Sequence, residues 1–353
     1  MTRDFLPGLQ LARGFYEEEV GPLLGDVRHS AALLGWGSDV LGFDTARSTD
    51  HGWGPRLQVF VAEDDVRTID ELLEERLPER YRGWSVRFGW DAHPVTKHVE
   101  VELLGAWLEH QLGFDPQAAP SLRDWLTAPQ QRLLEVTSGA VFHDGLGTLE
   151  PARETLRWYP GELWLWLLAC GWRRLDQEEP FAGRAAEVED ELGSHVLTAR
   201  LVRDVMRMCF LLERRYAPYS KWLGSAFREL DAYTALAGPL TAALSAAGYQ
   251  EREVALTEAV EELGRRHNAL VLTERVDARV RLFHARPFRV LGSGRFVDAC
   301  LDRVSEPWLR SLPLVGAIDQ FVDSSDVMRS PVTARRAAAM YDAGSPALGP
   351  GDV

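Results

Sequence analysis

The feature that most constrains this chain is a change of hydrophobic period near Leu104. Before it, short apolar runs alternate with polar residues every second position; after it, apolar residues recur at helical spacing. Residues 12–24 read as a helix through Ala12, Phe15, Tyr16, Val20, Leu23 and Leu24. Residues 29–34 read as a buried strand ending at Gly35, residues 50–62 as a second strand opened by Asp50 with its core at 57–61, and residues 66–77 as a helix. Residues 84–88 and 98–103 read as two further strands. In the last, Val99, Val101 and Leu103 face one way, and His98, Glu100 and Glu102 the other. The N-terminal part is thus α-β-β-α-β-β. Helices are expected at 122–135, 162–177, 195–216, 220–230 and 254–266, the best defined striped by Leu197, Leu201, Val205, Met208 and Leu212. Residues 137–161 read as a connection, and 288–304 as a late strand–helix piece. This is an α+β chain: residues 1–115 a mixed sheet with helices, residues 116–342 mainly helical, and residues 343–353 a Gly/Pro-rich tail expected to be disordered.

Charge and composition narrow the function. The formal net charge is -14, a field that repels a phosphate backbone and disfavours nucleic-acid binding. The longest apolar stretch, 163–170, is too short to cross a membrane. No basic stretch followed by an apolar run opens the chain, so no signal peptide is expected. Cys170, Cys209 and Cys300 each sit in apolar surroundings and read as buried free thiols of a cytoplasmic protein. Of 39 Lys+Arg, only Lys97 and Lys221 are lysines. A compact ammonium kept in so arginine-rich a chain reads either as chance or as a place where a guanidinium will not fit.

The residues that point to chemistry are Gly37-Ser38 and, after eleven intervening residues, Asp50. A Gly-Ser turn lets backbone N–H groups approach a triphosphate, and a carboxylate at the head of the next strand holds Mg2+ or Mn2+ against it. A second carboxylate two residues on would share its face, and a third from a neighbouring strand, Glu102 or Glu100, would complete a two-metal site. The second is missing: Asp50-His51 is followed by Gly52. Arg56 reads as a phosphate contact or a salt-bridge partner. His51, His93 and His98 match no metal motif, and His143-Asp144 reads as turn chemistry. Gly292-Ser293-Gly294 reads as a helix-entry turn without the third glycine of a dinucleotide fingerprint. Trp164, Trp166 and Trp172 read as helix-packing residues or as the lining of an acceptor pocket.

The Gly-Ser, spacer, Asp arrangement resembles the nucleotidyltransferase superfamily. Residues 37–44, 50–56 and 215–222, with His267-Asn268-Ala269-Leu270 and Arg286-Pro287-Phe288, resemble domain-of-unknown-function family 4037 from about Gly8 to Met340. The resemblance implies a nucleotidyltransferase-fold mixed sheet with helices, followed by a helical C-terminal region. It also implies transfer of a nucleoside monophosphate from an NTP to a hydroxyl of a small cationic or hydroxylated acceptor. In that reading Asp50, Glu100 and Glu102 are catalytic and Asp50 and Glu102 bind the metal. Gly37, Ser38, Arg56, Tyr219 and Lys221 bind the nucleotide, Lys221 from a helix N-terminus that favours anions, with Tyr219 or Trp222 stacking on the base. The family pattern has Asp where this chain has Gly52, so the competing expectation is a catalytically impaired nucleotide sensor or scaffold.

Overall fold

The computed structural model describes residues 5–91 and 93–342; the expected tail at 343–353 lies outside them. The chain forms two compact units. One comprises the residues up to Asp124, Gln131–Arg157 and Arg329–Arg335; the other comprises Trp125–Gln130, Trp158–Met328 and the residues from Arg336.

The first unit is built on a four-stranded mixed sheet in the order Val99–Glu102, Leu57–Phe60, Ser30–Leu33, Ala140–Asp144. The first two strands run parallel, with Gln58 opposite Glu100 and Val59 opposite Val101. The Ser30–Leu33 strand is antiparallel to both of its neighbours. Val59, Val99 and Val101 pack with Leu11, Phe15, Ile69 and Leu73 of the helices Gly8–Phe15 and Val66–Arg76 in one core. The expected alternation at 98–103 therefore holds: the valines are buried and Glu100 and Glu102 are half-exposed.

The sequence reading passes over the strand His93–Lys97, the helix Leu104–Leu112 and two further elements of this unit that bear on the sheet. Ala140–Asp144 is the fourth strand, and Leu149–Thr155 is a helix, both inside the expected connection. The strand is hard to see because its residues are only half-buried. His143-Asp144, expected as turn chemistry, instead ends this strand, opposite Ala31 and Ser30; only the Asp144 carboxylate serves the turn that follows, accepting from Ser30 Oγ at 2.6 Å and from the backbone of Gly147 and Glu150. The expected helix at 122–135 is broken into Leu122–Thr127 and Gln130–Thr137, as Pro129 requires.

The second unit is helical. Gly161–Glu178 follows Pro160 at its N-cap. Glu191–Leu212 starts four residues before the expected position 195, because the Asp190 carboxylate caps Gly193 N–H at 2.8 Å. It ends where Arg214 turns to a left-handed φ of 54°. Tyr249–Ala269 and Tyr233–Ser245 pack beside it. Among the described residues no helix is long and apolar enough to cross a membrane.

His267, one of the motif residues, is structural. It is buried at the end of Tyr249–Ala269, accepts the Trp172 indole N–H on Nδ1 at 3.1 Å, and meets Thr273 Oγ1 through Nε2. Burial lowers its pKa to about 4. A histidine depressed in the folded state contributes stability above its unfolded pKa near 6.5 and loses it as pH falls towards 4. Denaturant unfolding should show a loss of about 3 kcal/mol across that window, and His267→Gln, which keeps a side-chain acceptor, should flatten the slope. An unchanged slope in the variant would mean that another group carries the pH dependence.

Candidate functional site

The polar face of the first sheet begins at Gln58. Its Oε1 accepts Leu34 N–H at 2.9 Å and its Nε2 donates to Glu100 Oε2 at 3.0 Å. Glu102 lies two residues further on the same face, half-exposed. Burial, then repulsion from Glu100, raises the Glu102 pKa above the ordinary glutamate range, while His110 opposes the shift. The centre of the face is thus a buried neutral amide. Sequence reasoning passed over Gln58; the signal was a polar residue between the apolar Leu57 and Val59 of the strand.

Asp50 is placed differently from its sequence expectation. It does not open the strand, which starts at Leu57. It ends the 3-10 turn Ala46–Asp50, whose N-cap Thr45 and Ser48 bond reciprocally. Asp50 is exposed, and its Oδ1 pairs with His51 Nδ1 at 2.7 Å. The alternation argument linking Asp50 to position 52 does not apply in a turn. Gly52 has φ 59°, and a Cβ there would stand 3.2 Å from the Trp36 ring and 3.5 Å from that of Trp90. A carboxylate at this position would be strained and pressed against indole.

Gly37-Ser38 lies against a buried ion pair. Arg56, 3% exposed, donates Nε and Nη2 to Asp39 Oδ2 and Oδ1 at 3.0 and 2.7 Å, and Nη2 also donates to the Trp36 carbonyl. Its guanidinium lies 4.3 Å from the Trp36 ring centroid. A Cβ at Gly37, whose φ is 124°, would collide with both the Asp39 carboxylate and the Arg56 guanidinium. The glycine is therefore required by the pair itself. Ser38 is half-buried, and its carbonyl accepts Phe43 N–H at 2.8 Å.

Aromatic rings border this corner. Trp36 and Trp90 lie 5.1 Å apart, both half-exposed; Trp90 is 5.5 Å from His98, which stacks on Phe88 at 3.9 Å. His98 Nε2 meets the Phe88 carbonyl at 2.8 Å. Burial lowers the pKa of His98, opposed by that bond and by Glu100 and reinforced by Arg56 and His93.

The remaining site candidates lie in the second unit. Lys221 is exposed at the start of Ser220–Phe227, its Nζ 4.8 Å over the Trp222 ring, and Tyr219 is the half-buried N-cap residue. Gly292-Ser293-Gly294 opens Gly294–Leu301 as expected. Its N–H groups are already taken by the chain's own acids, Gly292 and Ser293 by Glu179 and Gly294 by Asp176. Trp166 and Trp172 are fully buried packing residues, and the three cysteines are free and buried.

Mg2+ or Mn2+ does not fit these residues as a three-carboxylate centre. Glu100 and Glu102 share a face, but Asp50 is held in a turn by His51, and among the described residues no group of three or more His, Cys, Asp or Glu is arranged to hold a metal. The structure joins Gly37, Asp39 and Arg56 in one contact and Gln58 and Glu100 in another.

Residues 125–223 match the model of a domain of unknown function, DUF4037. The matched stretch contains Arg215–Trp222 and leaves Gly37-Ser38 and Asp50 outside. No curated protein and no solved structure matches the chain.

The Glu102 environment is testable. An acid whose pKa is raised on folding costs stability once pH climbs above its unfolded value. Glu102→Gln should therefore raise the melting temperature at pH 7, by on the order of 1 °C, with the gain vanishing below about pH 4. A gain that persists at low pH would assign the effect to something other than charge.

Proposed function

We propose that the first unit is a nucleotide-binding domain of nucleotidyltransferase-like fold whose transfer chemistry is impaired. The observation that carries this reading is the sheet face. Where transfer needs converging carboxylates, Gln58 is bonded to Glu100, Gly52 has no side chain, and Asp50 is turned to His51. The protein then acts as a nucleotide sensor or scaffold. In the second unit, Lys221 at a helix start is a proposed phosphate contact and Tyr219 a proposed base contact, because helix N-termini favour anions.

The second reading is active transfer of a nucleoside monophosphate to a hydroxyl of a small, cationic or hydroxylated acceptor. It is favoured by Glu100 and Glu102 sharing one half-exposed face, where acids concentrate cations. It requires Mg2+ or Mn2+ at Asp50 and Glu102, which the position of Asp50 does not favour. Cytoplasmic residence belongs to the same proposal and is supported by the three buried free thiols.

Calorimetric titration of ATP and GTP, with and without Mg2+ or Mn2+, combined with a pyrophosphate-release assay, separates the readings. The expected result is nucleotide binding without pyrophosphate release, and no gain in Gly52→Asp, where the left-handed backbone and the indoles oppose the new side chain. Metal-dependent release by the wild-type protein would overturn the impaired reading in favour of the second. Absence of binding by either nucleotide would overturn both.

A further inference from the structure

The segment that carries Tyr219 and Lys221 is tied down by one buried amide. Between Glu191–Leu212 and Ser220–Phe227 the chain turns at Arg214, whose left-handed φ of 54° is strained for a residue with a Cβ. Pro218 brings no N–H to this turn. Ala217 N–H donates to Gln130 Oε1 at 2.8 Å, across 87 residues of sequence. Gln130 is fixed in turn by Asp319: its backbone N–H donates to Asp319 Oδ1 at 3.1 Å and its Nε2 to Asp319 Oδ2 at 2.8 Å. Gln130 and Asp319 are both buried. The Asp319 carbonyl accepts Arg207 Nη1 at 3.1 Å, from the helix that leads into the turn.

The position calls for an amide. Its oxygen accepts from a backbone N–H while its nitrogen donates to a carboxylate. A carboxylate at position 130 would face Asp319. An apolar side chain would leave the Ala217 N–H and an Asp319 oxygen each short of a partner. Trp125–Gln130 belongs to the second unit although Asp124 and Gln131, on either side, belong to the first. Ala217 stands two residues before Tyr219 and four before Lys221. Lys221 is exposed, with its ammonium over Trp222 and in no ion pair among the described residues.

We infer that Gln130 is the positioning residue of the nucleotide contact in the second unit. By holding Ala217 it sets where Tyr219 meets the base and where Lys221 meets the phosphates. The inference rests on the nucleotide-binding reading above and names the residue on which its two contacts depend.

The test is calorimetric titration of the full chain with ATP or GTP, whichever the wild-type protein binds, at a temperature where circular dichroism shows each variant folded. Gln130→Met keeps the length and removes both side-chain bonds, so it should weaken the nucleotide by about tenfold. Gln130→Glu should weaken it at least as much. Gln130→Glu combined with Asp319→Asn should recover affinity to within about threefold of wild type, because the asparagine amide then donates to the new carboxylate. Lys221→Met should also weaken binding, and Gln130→Met should add little to that loss, since the two act at one contact. Affinity unchanged in Gln130→Met or in Lys221→Met, or losses that simply add, would overturn the inference and leave the nucleotide reading standing. Absence of wild-type binding to both ATP and GTP would overturn the two together. Should Gln130→Met fail to fold, the combined exchange decides, and an affinity more than about tenfold below wild type overturns the inference.

Discussion

The buried Arg56–Asp39 pair holds the first unit's site in its shape. Two charges taken out of water are costly, and the cost is offset only when geometry is good and the remaining donors are satisfied. Here a bidentate contact at 3.0 and 2.7 Å, the Trp36 carbonyl and the Trp36 ring together satisfy the guanidinium. The pair ties the turn after Ser30–Leu33 to the head of Leu57–Phe60. It forces glycine at position 37, fixes the Trp36 ring, and removes from ligand binding the arginine nearest the Gly-Ser turn.

The chemistry of the corner follows from that commitment. A Gly-Ser turn beside a free arginine would be a phosphate site; beside a neutralised one it is a tight turn with an aromatic flank. The acids of the Val99–Glu102 strand then face a surface with its positive charge already spent. Gln58, held by Leu34 and Glu100, keeps the centre of the sheet face neutral. In the second unit, Glu179 and Asp176 take the N–H groups of the Gly292-Ser293-Gly294 turn, so that loop is filled by the chain's own side chains.

Much of the fold was legible in the sequence. The alternation of Val99 and Val101 with Glu100 and Glu102 was read correctly because burial on one face leaves a period-two trace. The stripe Leu201, Val205, Met208 and Leu212 was read because a packed helix leaves a 3.6-residue one. Ala140–Asp144 was missed because a strand half-buried throughout leaves neither trace. Asp50 was misplaced because the strand's start was inferred from a motif spacing, whereas the chain spends residues 46–50 on a capped 3-10 turn.

The sequence by itself determined the types of the strongly periodic elements and the faces they bury, the absence of a carboxylate at position 52 and the arginine-for-lysine economy, since each is a local or compositional property. Only the tertiary structure decided which side chains meet: Arg56 with Asp39, Gln58 with Glu100, Gly52 with Trp36 and Trp90. The physical reason is that periodicity reports a residue's face and not its partner. Partners are set by strand register and by close approach of segments far apart in sequence. In this chain that step set Gly37 against the buried Arg56–Asp39 pair, a contact the motif by itself does not announce.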